Sequence, residues 1–334
     1  MVFFKFGKPK SYLGIDIGSY AIKVAEVTNS LPLKLRSFGQ IRVPQNGIIG
    51  AEEEIIEKLK QLFSNLKVKS KKGIISISSY TSIIKRIEIS IPEEKDLDEV
   101  IKEEAEAHIP FDLNDVYLDY HIISSEEEKI EFILAAARKE LIENIYEIIA
   151  ASEIDIEAID IDIISLSNIF EHLYSFHEPC FLIDLGASKT SIILWENNNI
   201  KNSRDISIGT NIINQKLQDT LNIDTERAEK IKLKGEKKEE VISAISYYIE
   251  ETTKNIIETC LHLEESETKK IFLCGGGSFY YQIKNKLQKQ LKKEVEFIKP
   301  FIKIDANEIN EKTKEIIEKT GLTAIGLAAR EILL

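Results

Sequence analysis

The sequence predicts an α/β chain of two related halves, with a smaller unit inserted into the first. Three stretches carry this reading. In Leu13-Gly14-Ile15-Asp16-Ile17-Gly18-Ser19-Tyr20-Ala21-Ile22-Lys23-Val24-Ala25-Glu26-Val27, an apolar run meets an acid, turns at Gly-Ser and leaves as a second apolar run, the pattern of a β-hairpin. The same pattern returns in Phe181-Leu182-Ile183-Asp184-Leu185-Gly186-Ala187-Ser188-Lys189-Thr190-Ser191-Ile192-Ile193-Leu194. This is a long-period internal repeat, too widely spaced for a solenoid. The third stretch, Ile271-Phe272-Leu273-Cys274-Gly275-Gly276-Gly277-Ser278, reads as a buried strand ending in a glycine triplet.

The first hairpin turn suits an anion. Asp16 falls at the end of the first strand. Gly18 lacks a Cβ, so a positive φ and a close approach to an anion are open to it. The Gly18 and Ser19 amides are then expected to point inward as a nest for phosphate oxygens, with Lys23 adding a point charge from the returning strand.

Composition narrows the function. Lys and Arg number 44 against 56 Asp and Glu, a net charge of −12, which disfavours a nucleic-acid partner because that footprint needs a basic stripe. Hydrophobic residues at 43% and charged residues at 30% fit a folded globular chain. Cys180, Cys260 and Cys274 form no Cys-x-x-Cys pair, so neither a disulfide framework nor a zinc site is expected. His172 and His177, with Glu178 and Cys180 nearby, lack the spacing of a metal site and read as a surface turn. No apolar stretch is long enough to span a bilayer. Phe3, Phe4 and Phe6, in a short basic lead-in, are expected to pack against the first strand.

The remaining elements follow in order. Leu33 to Val43 reads as a strand ending in a Pro44-Gln45-Asn46-Gly47 turn. Ile55, Ile56, Leu59, Leu62, Phe63 and Leu66 recur at helical spacing, behind an acidic start at Glu52, Glu53 and Glu54 that complements the helix dipole. Ile74 to Ser78 reads as a core strand. Ile87, Ile89 and Ile91 alternate with polar residues as a half-exposed strand that Pro92 ends, and a charged helix runs from about Asp96 to His108. After Pro110 come strands from about Val116 and from Ile130 to Ala137, then a helix from Lys139 to Ala151. Ile87 to about Ser152 is therefore expected to be an inserted unit with no phosphate-binding turn of its own. Later helices are expected at Asn211–Leu221, from Glu226, and at Val241–Leu263.

The paired Asp hairpins and the glycine-ended strand together resemble the nucleotide site of the actin, hexokinase and sugar-kinase superfamily. Ala105-Glu106-Ala107-His108-Ile109-Pro110-Phe111, Val116-Tyr117-Leu118-Asp119-Tyr120 and Ala135-Ala136-Ala137-Arg138-Lys139-Glu140 resemble the PilM family of type IV pilus assembly proteins. So do Phe4-Lys5-Phe6-Gly7-Lys8, Ile206-Ser207-Ile208-Gly209-Thr210-Asn211 and Thr323-Ala324-Ile325-Gly326-Leu327-Ala328-Ala329-Arg330, which extends the likeness over nearly the whole chain. PilM is similar in architecture to the cell-division family FtsA. The resemblance implies an α/β, actin-like (ribonuclease H-like) two-domain fold with an inserted FtsA-type 1C subdomain. Residues 1–85, 153–180 and 321–334 would form the first domain (1A), 86–152 the insertion (1C), and 181–320 the second domain (2A, with 2B at about 211–264).

The resemblance also implies the site. Asp16 and Asp184 would hold Mg2+, mostly through water, beside ATP or ADP. Gly18, Ser19, Tyr20, Lys23, Gly186, Ala187, Ser188, Lys189 and Thr190 would address the phosphates, partly by backbone amides. Gly275, Gly276, Gly277 and Ser278 would pass beneath the adenosine. Glu229 and Lys232 match an Ala-Glu-x-x-Lys pattern on the ribose and adenine side, or else form a solvated helix face. Asp160 and Asp162 stand where superfamily members place the group that handles the attacking water, or else they cap the crossover helix. Hydrolysis is expected to be slow or absent. The implied partners are the cytoplasmic N-terminal peptide of a PilN-like inner-membrane protein, taken in a groove where 1C meets 1A, and other pilus platform proteins. The implied location is cytoplasmic, peripheral to the inner membrane through those partners, with no membrane span. Two other readings compete. A small-molecule kinase of the sugar-kinase branch needs a catalytic acid at a sugar pocket. An FtsA-like filament protein carries an amphipathic tail that has no counterpart after Ala329-Arg330-Glu331-Ile332-Leu333-Leu334.

Overall fold

The structure, a computed structural model, describes residues 10–44, 47–90, 97–125, 129–264 and 267–333. The expected packing of Phe3, Phe4 and Phe6, the turn residues Gln45 and Asn46, the strand end at Ile91-Pro92 and the helix start at Asp96 lie outside them.

Strands β1 (Ser11–Ile17), β2 (Ala21–Thr28) and β3 (Leu35–Arg42) form an antiparallel meander. β1 and β2 are buried on both faces, which is why both read as continuous apolar runs. Helix α1 (Glu52–Leu66) buries Ile55, Leu59 and Phe63, one stripe at four-residue spacing, and ends at Lys67 in the left-handed conformation. It leads to β4 (Lys72–Ile77), which runs parallel to β1.

The insertion has its own antiparallel sheet, β5 (Ser82–Ser90), β6 (Val116–Ser125) and β7 (Lys129–Arg138), in the order β5-β7-β6. Helix α2 (Leu97–His108) lays Val100, Ile101 and Ala105 on Phe132 and Leu134, so the unit has a separate small core. Its extent differs from the expected 86–152. β5 starts at Ser82, and helix α3 (Lys139–Ala151) faces the other way, burying Ile148 and Ile149 among Leu13, Ile15 and Leu59. α3 also touches the insertion, where the Tyr117 hydroxyl of β6 donates to Glu143 Oε1 at 3.3 Å.

β8 (Asp155–Ile161) lies parallel to β4 and completes the order β3-β2-β1-β4-β8. Helix α4 (Asp162–Tyr174) then crosses to the second half. There β9 (Cys180–Leu185), β10 (Thr190–Glu196) and β11 (Asn199–Ile206) repeat the meander, and β12 (Lys270–Cys274) and β13 (Glu294–Phe297) add the parallel strands in the order β11-β10-β9-β12-β13. The two sheets therefore share one topology, as the repeated hairpin implies. Helices α5 (Asn211–Leu221), α6 (Thr225–Lys234) and α7 (Lys238–Leu263) lie between β11 and β12, and α8 (Gln282–Leu291) between β12 and β13. Asp224 caps α6 by accepting from the Arg227 amide.

The chain closes with α9 (Glu311–Thr320) and α10 (Leu322–Leu333). α10 sits directly on β1, where a Cβ at Gly14 would fall 1.9 Å from the Ala324 carbonyl oxygen, so only glycine permits the contact. Leu166 and Phe170 of α4 and Ile325 and Ala328 of α10 join Val27 and Ile77 of one sheet to Leu182 and Phe272 of the other in one core. Phe170 meets Trp195 and Phe272 edge-on, with centroids 5.7 and 4.9 Å away. Truncating it to alanine would cost about 3–5 kcal/mol. The two halves are thus fastened at one end, and a cleft opens beyond the fastening.

Candidate functional site

The cleft has a volume of 940 Å³ and is walled by both hairpin turns, the start of α4, α6 and the glycine turn after β12. Such a volume takes a nucleotide-sized ligand. On the first wall, strand register places Asp16 opposite Lys23. The Lys23 ammonium donates to Asp16 Oδ2 at 2.6 Å, and Ser76 Oγ donates to Oδ1 at 3.2 Å. Burial alone would lower the Lys23 pKa; Asp16, with Asp184 and Asp162 behind it, outweighs that and raises it. Each Asp16 oxygen keeps an acceptor site for a further donor such as a metal-bound water.

On the facing wall Asp184 is half-buried, and desolvation pushes its carboxyl up from the usual 3.8 to about 6, helped by Asp162 and Asp16 and opposed by Lys23 and Lys189. Gly275 has φ +84°, and a Cβ there would fall 2.2 Å from Asp184 Oδ1, so this turn is closed to other residues. Hard carboxylate oxygens facing one another suit Mg2+ that keeps most of its waters. Among the described residues no group of three or more His, Cys, Asp or Glu is placed to hold a metal ion. The donor set therefore fits a hydrated ion shared with phosphates and not a full protein cage.

Between the walls lies a charged network. Lys189 Nζ is 2.9 Å from Asp162 Oδ2 and 3.1 Å from Asp205 Oδ2, and it also contacts Ser79 Oγ. Asp162 Oδ1 accepts from the Ser79 amide at 2.9 Å and the Ile163 amide at 2.8 Å. Ser79 Oγ donates to Asp205 Oδ2 at 2.8 Å. Burial would lower the Lys189 pKa, but Asp162 and Asp205 raise it, so it stays a cation.

At the other end of the cleft, Glu229 is only 4% exposed and takes donors on both oxygens. Burial raises its pKa, but hydrogen bonds from Lys232 and Asn214 and the Arg42 charge bring it below the usual carboxylate value. Lys319 also lines the cleft, its ammonium 3.4 Å from the Phe297 ring centroid, and burial lowers its pKa.

The expected residues divide into those that meet at the cleft and those that do not. Asp16, Gly18, Ser19, Tyr20 and Lys23 line it from one side. Asp184, Gly186, Ala187, Ser188 and Lys189 line it from the other, with Glu229, Lys232, Gly275, Gly276 and Asp162 between. Thr190 turns away and donates to the Ile208 carbonyl at 2.8 Å. Gly277 and Ser278 lie beneath the turn; a Cβ at Gly277 would meet the Tyr248 hydroxyl at 2.2 Å. Gly18 is absent from the positive-φ glycines, and its amide donates to the Ala21 carbonyl, so it tightens the hairpin instead of joining an anion nest. Asp160 points out of the cleft, 3.5 Å from Arg330 Nε, and burial raises its pKa. It does not cap the helix; its Oδ1 accepts from the adjacent Ile161 amide. Sequence reasoning missed Ser76, Ser79, Arg42, Asp205, Asn214 and Lys319. Pro44, Gly47, Thr210, Asn211 and Thr323, which also line the cleft, stood in stretches singled out beforehand.

A second cavity, of 530 Å³, opens where the insertion meets the first half. Tyr117 and Leu118 of β6, Ala135 to Ala137 of β7, Ile142 and Tyr146 of α3, and Ile159 to Ile161 of β8 form its walls. β6 and β8 are edge strands of their respective sheets.

The family model for the type IV pilus assembly protein PilM matches residues 14–332. Among solved structures, the chain is similar to a PilM–PilN type IV pilus biogenesis complex, with TM-score 0.86 and 21% identity over 97% of this chain and 99% of that one. The ethanolamine utilization protein EutJ from Carboxydothermus hydrogenoformans matches with TM-score 0.58 and 13% identity, over 96% and 90% of the two chains. MreB 5 of Spiroplasma citri, bound to AMPPNP, matches with TM-score 0.51 and 13% identity, over 93% and 99%. The fold is the actin-like one.

Proposed function

This chain belongs to the PilM family of type IV pilus assembly proteins, and we propose that it is an ATP-binding adaptor of the pilus machine, cytoplasmic and held at the inner membrane by partner proteins. The observation that carries the reading is the groove between the insertion and the first half. It is walled mainly by apolar side chains, with the carboxylates of Asp119, Glu143, Glu147 and Asp160 among them, and flanked by two strand edges, β6 and β8. An extended peptide entering it would pair its main chain with an edge and seat alternate side chains on Leu118, Ala136 and Tyr146. That chemistry suits the cytoplasmic N-terminal segment of a PilN-like protein, and the solved structure of similar fold is described as a PilM–PilN complex. Other pilus platform proteins would meet other faces. Among the described residues no helix is long and apolar enough to cross a membrane.

The cleft would take ATP or ADP. Lys23, Lys189 and the Ser19 and Ser188 turns would address the phosphates. Asp16 and Asp184 would hold Mg2+ through its waters, and the ion would supply charge neutralisation between phosphate oxygens. Hydrolysis needs a group free to orient or deprotonate water. Asp162 is committed on both oxygens and Asp160 faces away, which supports slow or absent turnover.

The test is fluorescence polarisation with a labelled peptide copying the cytoplasmic start of a PilN-like inner-membrane protein. Saturable binding is expected, weakened tenfold or more by Leu118→Asp. Absence of binding by the wild-type protein overturns the adaptor reading.

A further inference from the structure

Glu229 is saturated. The Tyr20 hydroxyl donates to Oε1 at 3.1 Å, and Arg42 NH1 lies 3.2 Å from the same oxygen. Asn214 Nδ2 donates to Oε2 at 2.5 Å, and Lys232 Nζ lies 2.6 Å from it. An ionised carboxylate offers about four acceptor sites, and here two hydrogen bonds and two ion pairs engage it, one of each on either oxygen. The two oxygens differ in what they join. Oε2 is held by α5 and α6, the neighbourhood of Glu229 itself. Oε1 reaches across the mouth of the cleft to the first half.

The far side of that bridge is rigid. Tyr20 sits in the turn between β1 and β2, and Arg42 ends β3. The Val43 amide donates to the Tyr20 carbonyl at 3.0 Å, which ties the two segments together. The Arg42 guanidinium lies 4.6 Å above the Tyr20 ring, so the two side chains move as one unit. Both lie at the rim, Tyr20 36% and Arg42 44% exposed, while their anchor Glu229 is buried. The arrangement is a strap with a buried fastening and a solvent-facing buckle.

We propose that Tyr20 and Arg42 strap the two halves together over the ribose end of the cleft, closing on a bound nucleotide and withholding Glu229 from its sugar hydroxyls. This rests on the nucleotide reading above and departs from the ribose role expected of Glu229. Two consequences follow from the geometry. A nucleotide leaves only after Oε1 releases Tyr20 and Arg42, so the strap limits exchange. With no acceptor site left on Glu229, the cleft does not discriminate ribose from 2′-deoxyribose there, whereas a site built to bond a hydroxyl rejects the analogue lacking it.

The experiment chases radiolabelled ATP from the full-length protein with excess unlabelled ATP, in Mg2+, for wild type, Arg42→Gln and Tyr20→Phe. A second arm compares ATP with 2′-deoxy-ATP by isothermal titration. Charge-assisted contacts of this kind predict dissociation on the order of tenfold faster in Arg42→Gln and severalfold faster in Tyr20→Phe. Wild type is expected to bind ATP and 2′-deoxy-ATP within about twofold of each other. Tyr20→Phe loses one hydroxyl and keeps the ring, so a folding defect in Arg42→Gln leaves the question answerable. Unchanged dissociation in both folded variants overturns the strap while the nucleotide reading stands. A tenfold or greater wild-type preference for ATP over 2′-deoxy-ATP overturns it too, by giving Glu229 to the ribose. Failure of wild type to bind either nucleotide overturns the strap and the nucleotide reading together.

Discussion

Lys189 Nζ lies 2.9 Å from Asp162 Oδ2, joining the turn of the second hairpin to the first residue of the helix that crosses between the halves. The pair lies inside a cleft that also holds Asp16, Asp184 and Lys23, so three carboxylates and two ammonium groups lie together at one end of it. A group arranged this way is sensitive to any anion or cation that enters, and most of the predictions below concern that balance.

Removing the carboxylates should weaken nucleotide binding in Mg2+. Asp16→Ala is expected to abolish it within the range of isothermal titration. Asp184→Ala is expected to lower it by roughly 10–100-fold and remove the Mg2+ dependence. Asp16→Ala also strands the Lys23 charge, so thermal melting measured in parallel separates binding from unfolding. Gly276→Val is the independent probe. A Cβ at Gly276 meets no atom within 4 Å, so the substitution is tolerated by the fold and projects into the cleft. Unchanged affinity in all three variants overturns the assignment of the cleft to a nucleotide.

The Asp184 carboxyl gives a pH signature of unusual sign. Its folded pKa of about 6 lies above the unfolded value, so the folded state binds more protons in that window. Its contribution is fully present below about pH 4 and is lost as pH rises towards 6, a penalty of about 3 kcal/mol at neutral pH. Asp184→Asn removes the titration. Denaturant melts from pH 4 to 7.5 should show the variant gaining stability over wild type as pH rises. The same proton must leave before Mg2+ is bound, so Mg2+-dependent nucleotide affinity should rise through pH 6 in wild type alone. A stability difference that stays flat with pH would falsify the burial argument.

Purified protein should hydrolyse ATP slowly or not at all, far below the ~10 per second typical of enzymes. The reason is positional. Asp162 is engaged by two amides and Lys189, and Asp160 is turned towards Arg330. Phosphate release measured with and without Asp162→Asn decides the matter. A wild-type rate near 10 per second, lost in the variant, would make Asp162 a working base.

How far the site could be read beforehand depends on the range of each contact. Asp16 and Asp184 were legible because each sits between apolar residues at a strand end, a local pattern that recurs. Lys23 followed from hairpin register. Arg42 and Asp205 were not legible, because they act only through partners on other elements. The Tyr20 hydroxyl and Glu229 are 209 positions apart, and neither neighbourhood advertises the other. The same limit explains α3. Its apolar stripe is visible, but a stripe does not say which sheet it faces, and Ile148 and Ile149 pack with Leu13 and Ile15 of the first half. Gly18 shows a different failure. Its small size was read as conformational freedom, yet its amide is bonded across its own turn to the Ala21 carbonyl.

The last prediction links the cleft to the groove. Ser79, whose hydroxyl is held by Lys189 and Asp205, lies in the short turn from which β5 of the insertion starts. The insertion is further tied to the second half by Tyr80 and Ser207, whose hydroxyls are 2.9 Å apart, and by Arg86 NH1, which donates to the Ile200 carbonyl at 3.2 Å. A phosphate that draws Lys189 towards itself would take a cation from Asp162 and Asp205 and release Ser79, shifting the root of the insertion and with it the groove wall. Coupling of this kind is worth ~1–3 kcal/mol and is reciprocal: whatever factor ATP applies to peptide affinity, peptide applies to ATP affinity. Peptide titrations with ATP, with ADP and without nucleotide should therefore give unequal affinities, with the spread reduced in Ser79→Ala and Asp205→Asn. Three equal affinities in wild type, with nucleotide shown to be bound, would mean that the nucleotide only stabilises the fold and that the protein is a static adaptor. An unequal set that survives both substitutions would leave the coupling in place and move its path away from Ser79.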